Sequence, residues 1–124
     1  MRSIDRAFFT LAVLLGLVGM LMGIQMGIAH DFQLVPVHTH INLVGWVSLA
    51  LFGAGYRLGL AKAGGLGVLH FWIAATGAIL LPGGIYLAVT RQQEAVVIIG
   101  SLLTLASMLL FLVNVLRARS TSAG

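Results

Sequence analysis

Four apolar stretches, at residues 7–29, 37–56, 67–89 and 95–116, are separated only by short polar or glycine-rich breaks. Each is long enough to cross the hydrocarbon core of a bilayer, which takes about 17–25 residues in a helix. In lipid an open sheet edge leaves its amides without partners, so all four are expected to be helices. The expected fold class is all-α integral membrane, with four transmembrane helices in a single domain over residues 1–124 and no room for a second. The first stretch superficially resembles a secretory signal, with Arg2 and Arg6 ahead of it and Gly27-Ile28-Ala29 at its end. It outruns the roughly 7–15-residue apolar core of such a signal and reads instead as a spanning helix.

Composition closes off the alternatives. Charged residues make up 8% of the chain and hydrophobic ones 60%, against about 25% charged in an ordinary soluble domain, so a soluble monomer is excluded. The absence of cysteine excludes disulfides, thiolate metal sites, iron–sulfur clusters and a cysteine nucleophile. Metal chemistry therefore rests on the four histidines. The net charge of +4 forms no basic face and accompanies no reading motif, so no nucleic-acid partner is expected.

The cations orient the chain instead. Arg2, Arg6, Arg57, Lys62, Arg117 and Arg119 fall on one side of the spans and Arg91 alone on the other. The positive-inside rule then predicts both termini cytoplasmic, in a bacterial-type inner membrane, with residues 30–37 and the Arg91 loop outside. The second helix starts at that outer side near Pro36, whose missing N–H is tolerated in a first helical turn. The tail at residues 120–124 is expected to fray.

Small residues recur where helices should touch. Gly16, Gly19, Gly23 and Gly27 lie three or four apart, a surface that suits either packing within one bundle or contact between subunits. Gly45, Gly53, Gly55 and Gly59 on the second helix suit packing, or room for a flat cofactor.

His38-Thr39-His40 carries the most chemical information. Two imidazoles in the first turns of a membrane helix are costly and point to function, set against a plainer role as interfacial side chains reaching water. At 100° per residue, positions two apart point about 200° away from each other, so the two rings serve two sites rather than one metal. A neutral imidazole is a good axial ligand for heme iron. Asn42, Trp46 and Ser48 follow on the same helix, offering a hydrogen-bond partner and an aromatic wall. His30 and Met26 lie at a similar depth and are the alternative axial ligands. Arg91, the only outer cation, suits a propionate, or else pairs weakly with Glu94.

The remaining polar residues suggest less. His70, in His70-Phe71-Trp72, sits at the opposite membrane boundary and reads as part of an interfacial aromatic belt. Asp5, Asp31 and Glu94 fall in terminal or loop segments, which leaves no buried carboxylate for a proton relay. No serine or threonine has a visible base partner.

Val37-His38-Thr39-His40-Ile41-Asn42, Leu69-His70-Phe71-Trp72 with Gly77 and Pro82, and Arg91 together resemble parts of the catalytic subunit of heme-copper oxygen reductases and nitric oxide reductases. That family's twelve helices form three arcs of four, and the second helix of an arc carries metal ligands near the outer surface. His38-Thr39-His40 resembles the His-x-His of the third arc, and Val37 to Asn42 also resembles the His-Thr-Asn start of the first arc's ligand helix. The resemblance implies one four-helix arc, a b-type heme, and electron transport or gas and redox sensing with a redox partner or quinone. The family's copper-binding histidines are absent and Gln92 stands where a second propionate arginine would be, so complete oxygen or nitric oxide reduction by this chain is not implied.

Three identical arcs would close a ring of twelve helices. In such a homotrimer His38 of one chain and His40 of a neighbour would hold one heme b between them, which accommodates their opposed directions. The expected cofactor-binding residues are therefore His38, His40, Asn42, Trp46 and Arg91, with His38 and His40 as the iron ligands. The expected partners are membrane lipid and further copies of the chain. Two rival expectations are a cofactor-free structural or assembly subunit, and a copper or other metal carrier using His30, His38 and His40.

Overall fold

The computed structural model describes residues 3–120. Four helices in chain order, α1 (Ile4–Ala29), α2 (Val35–Arg57), α3 (Gly65–Arg91) and α4 (Ala95–Ser120), account for nearly all of them. All four are long and apolar enough to cross a membrane, and no strand occurs among the described residues. Each helix extends slightly beyond its apolar stretch because polar residues such as Arg57 and Arg91 complete the last turns. Arg2 and the tail beyond Ser120 lie outside the described residues.

Local chemistry explains the short connections. His30 takes a left-handed conformation (φ 51°) and its N–H donates to the Met26 carbonyl, which closes α1. Pro36 sits in the first turn of α2, as expected. Gly59 (φ 74°) and Gly64 (φ 148°) make the turn between α2 and α3, with conformations that a Cβ disfavours. Gln92 (φ 56°) ends α3 by donating its N–H to the Ala88 carbonyl. The chain thus runs up and down four times. The end that carries the two helix termini Ile4 and Ser120 is called proximal here, and the end that carries the α1–α2 and α3–α4 connections distal.

Two seams of small residues hold the helices together. A Cβ on Gly84 would strike the backbone of Val97, one on Gly100 the backbone of Leu81, and one on Gly77 the Thr104 nitrogen at 3.0 Å. Helices α3 and α4 therefore approach backbone to backbone, the arrangement that replaces hydrophobic burial as a packing force in lipid. The second seam joins α1 to α2 through Gly16, Gly19 and Gly23. The glycines of the first helix that contact anything thus pack within the bundle, and Gly27 alone faces open space.

Of Gly45, Gly53, Gly55 and Gly59, the first three are packing positions and Gly59, in the turn after α2, faces open space. Gly45 meets Leu15, Gly53 meets Phe9 and the Asp5 carbonyl, and Gly55 meets Phe111. One core cluster, proximal, gathers Ile4, Phe8, Leu49, Phe52, Tyr56 and Ala74 with alanines around them, and a smaller distal one joins Val37 and Ile41 to Leu81 and Ile85. Most of the apolar surface of α4 is left exposed, in a form that suits lipid.

Helix α2 is not uniform. Its first turns, Val35–His40, are α-helical, Ile41–Ser48 is wound as a π-helix, and Leu49–Arg57 returns to α. The Ser48 hydroxyl donates to the Leu43 carbonyl at 2.8 Å, five residues back, as the wider winding allows. Such segments are rare and concentrate at functional positions, and this one begins directly after His40.

One carboxylate departs from expectation. Asp5 is not an exposed terminal group: it lies in the first turn of α1 with only 7% of its surface accessible. The Arg57 guanidinium stands 3.6 Å from its carboxylate at the proximal end. Burial is possible because the neighbouring helix end supplies the opposite charge.

Candidate functional site

The distal half of α2 presents three side chains one turn apart, His38, Asn42 and Trp46, to the glycine seam of α1. The pairing is antiparallel. A Cβ on Gly23 would lie 2.8 Å from His38 Cε1, one on Gly19 2.6 Å from Asn42 Nδ2, and one on Gly16 3.2 Å from Trp46 Cδ2. Each glycine is therefore the space that its partner side chain fills, and the sequence spacing of the two sets matches turn for turn.

The His38 ring is held by its Nδ1, which lies 2.8 Å from the Gly19 carbonyl oxygen. A carbonyl only accepts, so Nδ1 carries the proton and donates it, and Nε2 is left with its lone pair. Asn42 Nδ2 is also 3.3 Å from this Nδ1, but two donors cannot share a hydrogen bond. Asn42 donates instead to the His38 carbonyl at 2.8 Å. It therefore steadies the helix backbone beneath the ring and does not reach the free nitrogen that a second hydrogen bond would tune.

His40 is fixed in the same way by a different group. Its Nδ1–H donates to the Pro36 carbonyl at 2.8 Å, one turn back on its own helix. That carbonyl lies in the first turn of α2. In the neutral ring its Nε2 is also left as a lone pair, and among the described residues its one hydrogen bond stays within α2. The two rings are anchored to different groups, His38 to a carbonyl of α1 and His40 to one of its own helix, and both are half-buried.

The other expected residues are scattered. Trp46 packs on Gly16 and borders a small cavity of about 80 Å³ with Val13, Leu17 and Met20, so it is a wall of the α1–α2 seam rather than of a space beside His40. Arg91 is exposed at the end of α3, at the same distal end as both histidines, and makes no ion pair with Glu94. His30 is exposed at the end of α1, while Met26 is buried. No three His, Asp or Glu side chains among the described residues come together as a metal-binding group, so His30, His38 and His40 do not form a joint site within one chain. A distal groove of about 310 Å³ runs between Met22, Met26, Asp31 and Leu34, and neither it nor the small Trp46 cavity has His38 or His40 in its wall.

His70 requires a correction. It is not part of an exposed belt: its accessibility is 0%, whereas its neighbour Trp72 is 63% exposed. The Phe52 ring lies 4.6 Å from the imidazole centroid, with Phe8 at 5.1 Å and Phe111 at 5.5 Å. Tyr56 Oη is 2.9 Å from His70 Nδ1, and Asn114 Nδ2 is 3.2 Å from the same hydroxyl oxygen. Asn114 Nδ2 can only donate here, so the Tyr56 hydroxyl oxygen accepts from it and the Tyr56 O–H donates a hydrogen bond to His70 Nδ1. The opposite tautomer would strand both the Tyr56 hydrogen and the His70 lone pair.

The consequence is a single orphan. His70 Nε2 has no hydrogen-bond partner, and in this tautomer it is an N–H among aromatic rings, where a weak N–H to ring contact offsets part of the cost. Asn114 also accepts from the Lys62 N–H and donates to the Lys62 carbonyl, both at 3.0 Å. One side chain of α4 thereby ties down the α2–α3 turn and the tyrosine together. Polar residues at 56, 70 and 114, each inside or beside an apolar stretch, were the available sequence signal. Only the fold shows that they meet.

Comparison with protein-family models, with characterised proteins and with solved structures finds no match to this chain. The resemblance to heme-copper reductases accordingly stands on the quoted residues alone.

Proposed function

We propose that this chain is an integral membrane protein of the bacterial inner membrane, with both termini cytoplasmic, that binds heme b through His38 and His40 at contacts between copies of itself. The observation that carries the reading is the shared state of the two rings. Each donates Nδ1–H to a backbone carbonyl at 2.8 Å, which in the neutral imidazole leaves the lone pair on Nε2. That is the state an axial ligand needs, with the second nitrogen's hydrogen bond fixing tautomer and orientation.

The residues fit the group in part. His38 and His40 supply the ligand nitrogens, with the His38 ring seated in the space that Gly23 leaves on α1, and neither the distal groove nor the Trp46 cavity of one chain holds the group beside them. Arg91, exposed and without an ion pair at the same end, supplies charge for a propionate. Because side chains two apart on one helix point about 200° away from each other, the reading takes the second ligand from another copy, and three copies close the ring that the resemblance implies. When bound, the group supplies one-electron transfer. The protein's own contribution is to hold the two imidazoles, limit water and set the surrounding polarity. A redox partner or quinone would exchange the electron.

The test is the visible spectrum of the protein purified after expression with ample heme. Sharp reduced bands lost in both His38→Ala and His40→Ala support the reading. Loss in only one variant moves the second ligand to Met26 or His30. A folded, heme-free protein would leave a structural subunit as the better account.

A further inference from the structure

We infer that the open groove between α1 and α3 at the proximal end is a binding site for one anionic phospholipid, with the phosphate on Arg6 and Thr10 and an acyl chain lying against Leu14 and Ile79. The groove holds about 650 Å³ and is the largest of the cavities described. Its α1 wall is Arg6, Thr10 and Leu14, and its α3 wall is Trp72, Ala75 and Ile79. Arg6, Thr10 and Leu14 are four residues apart and form one stripe of a helix, polar at the end and apolar inward. The stripe from Arg6 to Leu14 rises about 12 Å at 1.5 Å per residue. That is most of one leaflet of a hydrocarbon core about 30 Å thick.

Two observations point to an anionic headgroup rather than to any apolar filler. The first is charge. Arg6 has no ion pair among the described residues, although the adjacent Asp5 carboxylate is engaged by Arg57. A guanidinium at a membrane boundary with no internal partner attracts phosphate, which it holds bidentately.

The second is the Thr10 hydroxyl. Thr90, Thr104 and Ser101 each donate to the carbonyl four residues back, at 2.7, 2.9 and 2.7 Å. Thr10, like Thr39 and Thr76, has no hydrogen-bond partner among the described residues, and of the three it is Thr10 that shares a groove wall with a cation. Helix α1 has 26 residues, about 39 Å at 1.5 Å per residue, so roughly three residues project from a 30 Å core at each end. Thr10 then lies a turn inside the hydrocarbon, where an unpaired hydroxyl is costly. A phosphate or glycerol oxygen drawn in by Arg6 meets that need. The indole of Trp72, 63% exposed on the opposite wall, is the ring type that favours the headgroup boundary.

This inference needs the chain to span a membrane and is independent of heme. Trp72 supplies the readout, because Trp46→Phe leaves it as the only indole of two. The full chain is reconstituted in phosphatidylcholine vesicles doped with brominated phosphatidylglycerol or brominated phosphatidylcholine, and Trp72 quenching is followed against mole fraction. Phosphatidylglycerol is expected to quench about fivefold more effectively, the worth of one surface arginine. Arg6→Gln should equalise the two lipids, Arg6→Lys should keep most of the preference, and Thr10→Val should lower it by a smaller factor.

Equal quenching by both lipids overturns the proposal, as does a preference that survives Arg6→Gln. Displacement of the brominated lipid by a quinone at low mole fraction would overturn it too, by showing a neutral occupant. The two-lipid comparison in the parent protein needs no arginine variant, so it decides the matter even if Arg6→Gln does not insert. A chain that fails to reconstitute would remove the membrane reading and this site together, leaving the spectroscopic test of heme in detergent to stand separately.

Discussion

The distal and proximal halves of this bundle use the same residue, histidine, in opposite ways. At the proximal end His70 is sealed by phenylalanine rings from three helices and linked through Tyr56 to Asn114. At the distal end His38 and His40 are half-buried, each tied by one nitrogen to a backbone carbonyl and open at the other. Each of the three rings has one bonded nitrogen, so burial separates them: the second nitrogen of His70 is enclosed by aromatic rings, whereas His38 and His40 lie half-buried at a helix start, where the proposed function places a ligand. The perturbations below should therefore separate the halves, with large losses of stability at one end and large losses of ligand binding at the other.

Phe8→Ala should have the greatest effect on stability. Phe8 is fully buried and stacks or edges against Phe52, Tyr56, His70 and Phe71. In lipid the unfolded reference is also apolar, so the cost comes from lost contacts and the cavity rather than from transfer out of water. A loss of about 3 kcal/mol, the low end for truncating a core phenylalanine, is expected in mixed-micelle unfolding. A change below ~1 kcal/mol would break the contrast by showing the proximal core to be loose.

Asn114→Leu should come next. It removes hydrogen bonds to the Lys62 N–H, the Lys62 carbonyl and the Tyr56 hydroxyl at nearly constant volume. About 2 kcal/mol is expected, since buried partners lose their only replacement for water. Faster hydrogen exchange confined to the α2–α3 turn would confirm that this side chain fastens the turn. Tyr56→Phe leaves His70 Nδ1 without a donor and should cost about 1–2 kcal/mol by the same reasoning, read in the same unfolding assay.

The sequence exposed one half of this contrast better than the other. Four helices long and apolar enough to cross a membrane were legible because length and apolarity alone mark them, and Pro36 marked the start of α2. Helical geometry gave reason to expect different surroundings for His38 and His40, and their Nδ1 atoms do bond different carbonyls. The glycine stripe of α1 was visible, but whether it faced a neighbour helix or a neighbour subunit was not, since small residues serve both equally. It took the matching register of His38, Asn42 and Trp46 against Gly23, Gly19 and Gly16 to settle that.

The burial of His70 was hidden for a different reason. Its partners Tyr56 and Asn114 sit on other helices, and His70-Phe71-Trp72 looks interfacial until one knows that His70 turns inward and Trp72 outward. The burial of Asp5 was hidden similarly, because its neighbour Arg57 lies two helices away along the chain. The π-helical turn after His40 has no compositional signature that the sequence exposes. In each case local pattern gave the element, and the contact across elements decided the role.

The smallest stability effects, and the sharpest test of the contrast, belong to His38→Ala and His40→Ala. In heme-free protein each deletes a single hydrogen bond, and the ring's other nitrogen has none to lose, so about 1 kcal/mol or less is expected. The cost should be greater for His38, because its removal also leaves a gap against Gly23 and frees the Gly19 carbonyl of α1. His40 is bonded only to the Pro36 carbonyl of its own helix, in a first turn open to water, so His40→Ala should approach zero. If the distal half exists to receive a ligand, the two variants nevertheless lose the heme spectrum equally while differing in unfolding. If both are stability-neutral and spectrally silent, the lone pairs have no visitor and the distal seam is only a way to bring α1 close to α2. Should His40→Ala cost as much as Tyr56→Phe, His40 would have to be fastened across chains in the membrane, and the division of labour between the two ends would not hold.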